Sequence, residues 1–89
     1  MEVEDISIDA LIGKEQREKQ AEELARRHAT QLAFAATNRL RELNMSSVEL
    51  ALRMGVKPSY VSRILAGKQN VTLKTIAKIE VALDFSFAE

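Results

Sequence analysis

Cysteine is absent from this sequence, which excludes a disulfide framework and a thiolate metal site together. No apolar run approaches the roughly 18 residues that a membrane-spanning helix needs. The acidic opening, residues 1–9, lacks the basic-then-apolar order of a secretory leader, so a cytoplasmic location is expected. Proline occurs once and glycine three times, and no stretch alternates apolar with polar residues as a half-buried strand does. An all-α chain is therefore expected. Excess charge of either sign is missing too, with 13 Lys and Arg against 13 Asp and Glu. For a protein that binds duplex DNA such a balance is unusual, because affinity there comes largely from neutralised phosphates. The balance is uneven along the chain, however. Residues 1–30 hold five basic and eight acidic side chains, net −3, and the remainder is net +3.

With 46% hydrophobic and 29% charged residues over 89 positions, what remains is an ordinary globular composition with room for one modest core. Its most organised stretch is SSVELALRMGVKPSYVSRILAG, residues 46–67. Ser46 is placed to cap a helix, and Glu49 stands three residues on, where a carboxylate reaches back to the cap's own amide. Leu50, Ala51 and Met54 keep helical spacing, and Gly55 supplies the left-handed residue that ends a helix. Pro58 then fits the first position of a second helix, since its missing amide hydrogen would have had no partner there. On that second helix Val61, Ile64 and Leu65 share one side, with Ser59, Ser62, Arg63 and Ala66 on the other. A small, polar outer face with one Arg suits close approach to base edges in a DNA groove better than it suits plain solvation. Gly67 ends the second helix, and Lys68-Gln69-Asn70 follow with a cation, two amides and backbone donors, the groups that contact phosphate.

Residues 45–83 resemble the Cro/C1-type helix-turn-helix, the XRE class of bacterial and phage regulators. The resemblance is carried by Leu50-Ala51, Gly55-Val56, Val61-Ser62-Arg63-Ile64, Gly67-Lys68, Thr72-Leu73, Ile76-Ala77 and Leu83. It implies a lambda-repressor-like bundle of about five helices, here preceded by an extra N-terminal helix. It also implies sequence-specific binding of double-stranded DNA. The family's base-reading positions fall on Pro58, Ser59 and Arg63, with Tyr60 and Ser62 beside them. Pro58 has no donor, which leaves hydrogen-bonded readout to Ser59 and Arg63. Expected phosphate contacts are Ser47, Lys57, Lys68, Gln69 and Asn70, with Ser47 standing where relatives often have Gln. Relatives also pair an Arg in the preceding helix with a Glu late in the reading helix. Here the equivalent positions are Leu40 and Leu65, a concerted exchange of an ion pair for apolar contact.

Ahead of the motif, Ile6, Ile8, Leu11 and Ile12 form a small apolar cluster among acids, with Asp5, Ser7 or Asp9 available as a cap. Helical patterning is strong from Lys14, with Glu15–Lys19, Glu22–Arg26 and Glu23–Arg27 at four-residue spacing. Ala21, Leu24, Ala25, His28, Leu32, Ala35 and Ala36 trace one side. The segment 15–43 reads either as one long helix or as two bent near residues 27–30, an extra helix running into the family's first. Residues 1–29 are accordingly set apart as an acidic arm and helical extension, and 30–89 as the DNA-binding domain. His28, the only histidine, has no second ligand nearby and reads as surface or interface packing. Leu32, Phe34, Ala36, Leu40 and Leu43 are core candidates, and Arg39 or Arg41 could touch phosphate. After the motif Thr72 caps a last helix, Val71 and Ile76 have staple spacing, and Leu73, Ile76, Ala77, Ile79 and Leu83 can close the core. Val81, Phe85 and Phe87 exceed what a short tail easily buries and are expected at a homodimer interface; the other reading folds both phenylalanines onto the chain's own core.

No carboxylate pair, metal spacing, phosphate-cradling glycine loop or activated nucleophile is present, so neither an enzyme nor a cofactor is expected. The leading expectation is a homodimeric transcriptional regulator, most plausibly a repressor. The alternative is a partner-binding module similar to HigA-type antitoxins, holding a toxin through residues 1–29. A controller protein of a restriction-modification system has similar size and fold.

Overall fold

The computed structural model describes residues 8–87. Four helices follow one another: α1 (Ile8–Leu43), α2 (Ser47–Met54), α3 (Pro58–Leu65) and α4 (Leu73–Leu83). The expected extra helix and the first helix of the motif domain are one continuous 36-residue element, and no fifth helix follows α4 among the described residues. The count is lower than expected because nothing between residues 27 and 30 breaks α1. Thr30, the one residue there with a competing hydroxyl, donates it to the Arg26 carbonyl four residues back at 3.0 Å, a bond made within the helix. Of the proposed caps, Asp5 and Ser7 lie outside the described residues, as does Ile6; Asp9 falls inside α1.

All four helices stop in the same way. Asn44, Gly55, Gly67 and Asp84 each take positive φ, between 52° and 73°. The amide after each bonds back to a carbonyl five residues earlier: Met45 to Leu40, Val56 to Ala51, Lys68 to Arg63, and Phe85 to Glu80. This is the double-bonded left-handed ending whose next residue usually drops onto the core. Met45, Val56 and Phe85 do so. Lys68 alone is exposed.

Leu32, Ala36 and Leu40 of α1 meet Leu50, Ala51 and Met54 of α2, Val61 and Ile64 of α3, and Ile79 and Leu83 of α4 in one core. Leu65 packs on the cluster that contains Leu40, as an apolar replacement of an ion pair requires. Four core expectations fail. Phe34 is 69% exposed and Leu73 85%: Phe34 lies across α1 from the buried stripe 32-36-40, and Leu73, the first residue of α4, sits about a quarter turn off the inward stripe 76-79-83. Leu43, the last residue of α1, is 38% exposed, and Ala77, beside Leu73 on its helix, is exposed too. Ala33 is buried in their place.

Ser46 and Thr72 cap α2 and α4, their hydroxyls accepting from the Glu49 and Thr75 amides at 3.1 Å each. Glu49 does not complete the reciprocal cap, its carboxylate turning instead to Arg53 at 3.5 Å. The C-terminal end of α4 has no basic residue of its own in its last turn. Arg39 supplies one from α1, donating to the carbonyls of Leu83 (2.9 Å) and Asp84 (3.1 Å), and Arg53 from α2 donates to Ala82 (3.4 Å). Both cations meet the negative end of the helix dipole, and Arg39, expected as a possible phosphate contact, is a clamp between α1 and α4.

Beyond this body α1 runs on alone. Every side chain from Lys14 to His28 is exposed, and the molecule measures 57 Å along its longest axis, close to the ~54 Å of a 36-residue helix at 1.5 Å per residue. The expected pairs Glu15–Lys19, Glu22–Arg26 and Glu23–Arg27 do not close. Among the described residues only Arg39–Glu42 and Arg53–Glu49 form ion pairs. In open water such pairs gain too little to hold two long side chains in one geometry.

Candidate nucleic-acid interface

The turn between α2 and α3 is built from Gly55 at φ 72° and Lys57 at the N-terminal flank of α3, and Pro58 begins α3 as its spacing predicted. Val61 and Ile64 pin one face of α3 in the core. Pro58, Ser59, Ser62 and Arg63 are thereby exposed together, with Tyr60 half-buried at their edge. Unlike α2 and α4, α3 has neither a side-chain cap nor an acidic residue in its first turn. Its positive dipole end is uncompensated, a favourable setting for an anion.

Arg63 is held rather than loose. Its Nε donates to Gln69 Oε1 at 3.0 Å, and its guanidinium carbon lies 5.7 Å from the centre of the Tyr60 ring, within cation–π range. Gln69 is itself fixed, donating through Nε2 to the Asn70 carbonyl at 3.2 Å. Tyr60 is fixed through its hydroxyl, 3.5 Å from Thr75 Oγ1. Both terminal nitrogens of Arg63 remain available, and they are the pair that makes a bidentate contact to a guanine edge.

Of the expected phosphate-contacting residues, Lys57, Lys68 and Asn70 are exposed and Ser47 is half-buried in the first turn of α2. Lys57 and Lys68 have no carboxylate within ion-pair distance, the two ion pairs of the described residues being elsewhere. Gln69 was expected on phosphate and Tyr60 beside the bases, but the polar groups of both are turned to neighbours within the chain. Sequence reading missed these supporting roles because Arg63 and Gln69 are six residues apart across a helix end, where periodicity carries no information. The turn at Gly67 is the one cue that the chain doubles back there. His28 faces apolar Ala25, Ala29 and Leu32 and the chain at 69–71, and no group of acidic or histidine residues among those described could hold a metal ion.

A family model described as helix-turn-helix matches residues 38–89, more than half of the chain. The chain belongs to the Cro/C1-type helix-turn-helix family. No curated protein and no solved structure matches it. The match covers the end of α1 and all of α2, α3 and α4, so the two helices of the motif are α2 and α3. Members of this helix-turn-helix family are DNA-binding transcription regulators, not enzymes. No helix among the described residues is long and apolar enough to cross a membrane.

Proposed function

We propose that this protein is a sequence-specific repressor that binds double-stranded DNA as a homodimer on a palindromic operator, with α3 in the major groove. The observation that carries this reading is Arg63, braced by Tyr60 and Gln69 with its terminal nitrogens available on the exposed face of α3. A pre-positioned guanidinium loses little freedom on meeting a guanine. Ser59 adds a weaker hydrogen bond, and Pro58 and Ser62 keep the helix slim enough for close approach. Ser47, Lys57, Lys68 and Asn70 lie on phosphate, and Gln69 serves Arg63 rather than the backbone. Val81, 82% exposed, joins Leu73 and Ala77 in an apolar ridge along the outside of α4. A second copy covering that ridge sets two reading helices about 34 Å apart, one turn of duplex.

The test is binding of the protein to the DNA upstream of its own gene against a random duplex at two salt concentrations, with Arg63→Ala alongside. Specific, salt-sensitive binding that loses selectivity with Arg63→Ala is the expected outcome. Equal, weak binding to both duplexes removes the reading.

A second reading draws on the free-standing half of α1, whose side chains stand in solvent from Lys14 to His28. A helix so placed suits a partner protein, as in an antitoxin that holds a toxin and regulates its own operon. A basic protein that copurifies with the chain and is lost with Glu15→Lys and Glu18→Lys would favour it.

A further inference from the structure

Where α1 passes the end of α3, Arg26 and Lys68 line one hollow of about 300 Å³ with Ala29, Gly67, Gln69 and Asn70. Two cations and two amides face it, its remaining walls are an alanine and a glycine, and no carboxylate lines it. Arg26 has carboxylates in sequence reach at Glu22 and Glu23, yet pairs with neither. The 67–70 turn also lies beside α1: a Cβ built on Gly67 would reach contact distance of Thr30 Cα, 3.4 Å, one turn after Arg26. The same turn is tied to α3 by Arg63 and Gln69. The hollow thus joins Arg26, which lies outside the segment matched by the family, to the turn that follows the reading helix.

We infer that Arg26 and Lys68 together grip one stretch of DNA backbone, so that the extension of α1 adds a phosphate contact which the helix-turn-helix segment lacks. The chemistry is that of an anion held between a guanidinium and an ammonium with amide donors beneath. It gives a chain of zero net charge a local way to hold a polyanion: Arg26 and Lys68 form no ion pair, while Arg39 and Arg53 are committed to α4. This inference rests on the DNA-binding reading above.

The full chain and its Arg26→Ala, Arg26→Lys and Lys68→Ala variants are titrated with two duplexes of equal length, the DNA upstream of its gene and a random sequence, over a range of salt. Arg26→Ala should weaken binding to both duplexes roughly five- to tenfold near 0.1 M salt and flatten the slope of log K against log salt by about 0.9, the share of one phosphate. Arg26→Lys should keep the slope. Unchanged affinity and slope in Arg26→Ala, with Lys68→Ala still weakened, would overturn the role of Arg26 and leave the DNA-binding reading standing. If the parent chain binds neither duplex in a salt-dependent way, both fall. Arg26 is exposed, so far-UV circular dichroism of Arg26→Ala should match the parent chain.

Discussion

A side-chain carbon placed on Gly67 would stand 3.4 Å from the Cα of Thr30, whereas one placed on Gly55 would meet nothing within 4 Å. Both glycines have φ above 70°, so both suffer the left-handed penalty of about 1 kcal/mol when replaced by alanine. At Gly67 the new carbon would land at ordinary contact distance, with no clash. Gly67→Ala and Gly55→Ala should therefore each lower the melting temperature by roughly 4–8 °C at this chain length. A clearly larger loss for Gly67→Ala in thermal melts would show that the 67–70 turn presses on α1.

Gln69 is assigned to Arg63 and not to phosphate, and the two roles separate in the kind of binding lost. Gln69→Ala should reduce discrimination between the preferred duplex and one changed at the base pair read by Arg63, with the salt slope intact. Arg63→Ala should remove that discrimination, about 1–3 kcal/mol for a bidentate contact. A flatter salt slope in Gln69→Ala returns the residue to the phosphate contacts.

The tail and the outer ridge of α4 make opposite predictions. Phe85 and Phe87 pack edge to face with centroids 4.6 Å apart and rest on the chain's own core, and the Phe87 amide donates to Glu80 at 2.9 Å. Phe87→Ala should lower thermal stability. Val81→Asp should leave the far-UV circular dichroism as before but shift the molecule to monomer in sedimentation equilibrium. A parent chain that is monomeric at all concentrations would remove the homodimer.

Leu40, 6% exposed, falls where the family resemblance implies an Arg in many members. Leu40→Arg alone should cost about 3 kcal/mol or more in urea unfolding, because it buries a charge without a partner. Adding Leu65→Glu should recover part of that loss. A double variant no better than the sum of its singles would show that the two positions do not face each other.

The parts of this molecule legible in its sequence are those governed by local chemistry. Ser46, Gly55, Pro58, Gly67 and Thr72 each declare a helix boundary, and the structure places one at all five. The apolar stripes of α2 and α3 were legible for the same reason, since Leu50, Ala51, Met54, Val61 and Ile64 repeat at helical spacing and are buried. Phe34 and Leu73 were misplaced because hydrophobicity was weighed over phase. The continuity of α1 is not legible from residues 27–30 because His28 and Thr30, middling helix formers, stand there beside the strong formers Arg27 and Ala29. Arg39 looked like a surface cation because its partners, the last carbonyls of α4, lie more than 40 residues away. The same distance hides the meeting of Arg26 with Lys68.

An unbroken α1 also fixes a phase. From Ile8 to the buried Leu40 each residue adds about 100° of rotation and 1.5 Å of rise, with no hinge to absorb either. Whatever is fastened to the outer end is therefore clocked against α3 like a hand on a shaft. One residue inserted between Lys14 and Glu23 would swing that end by more than a quarter turn, and seven would bring it nearly back into register.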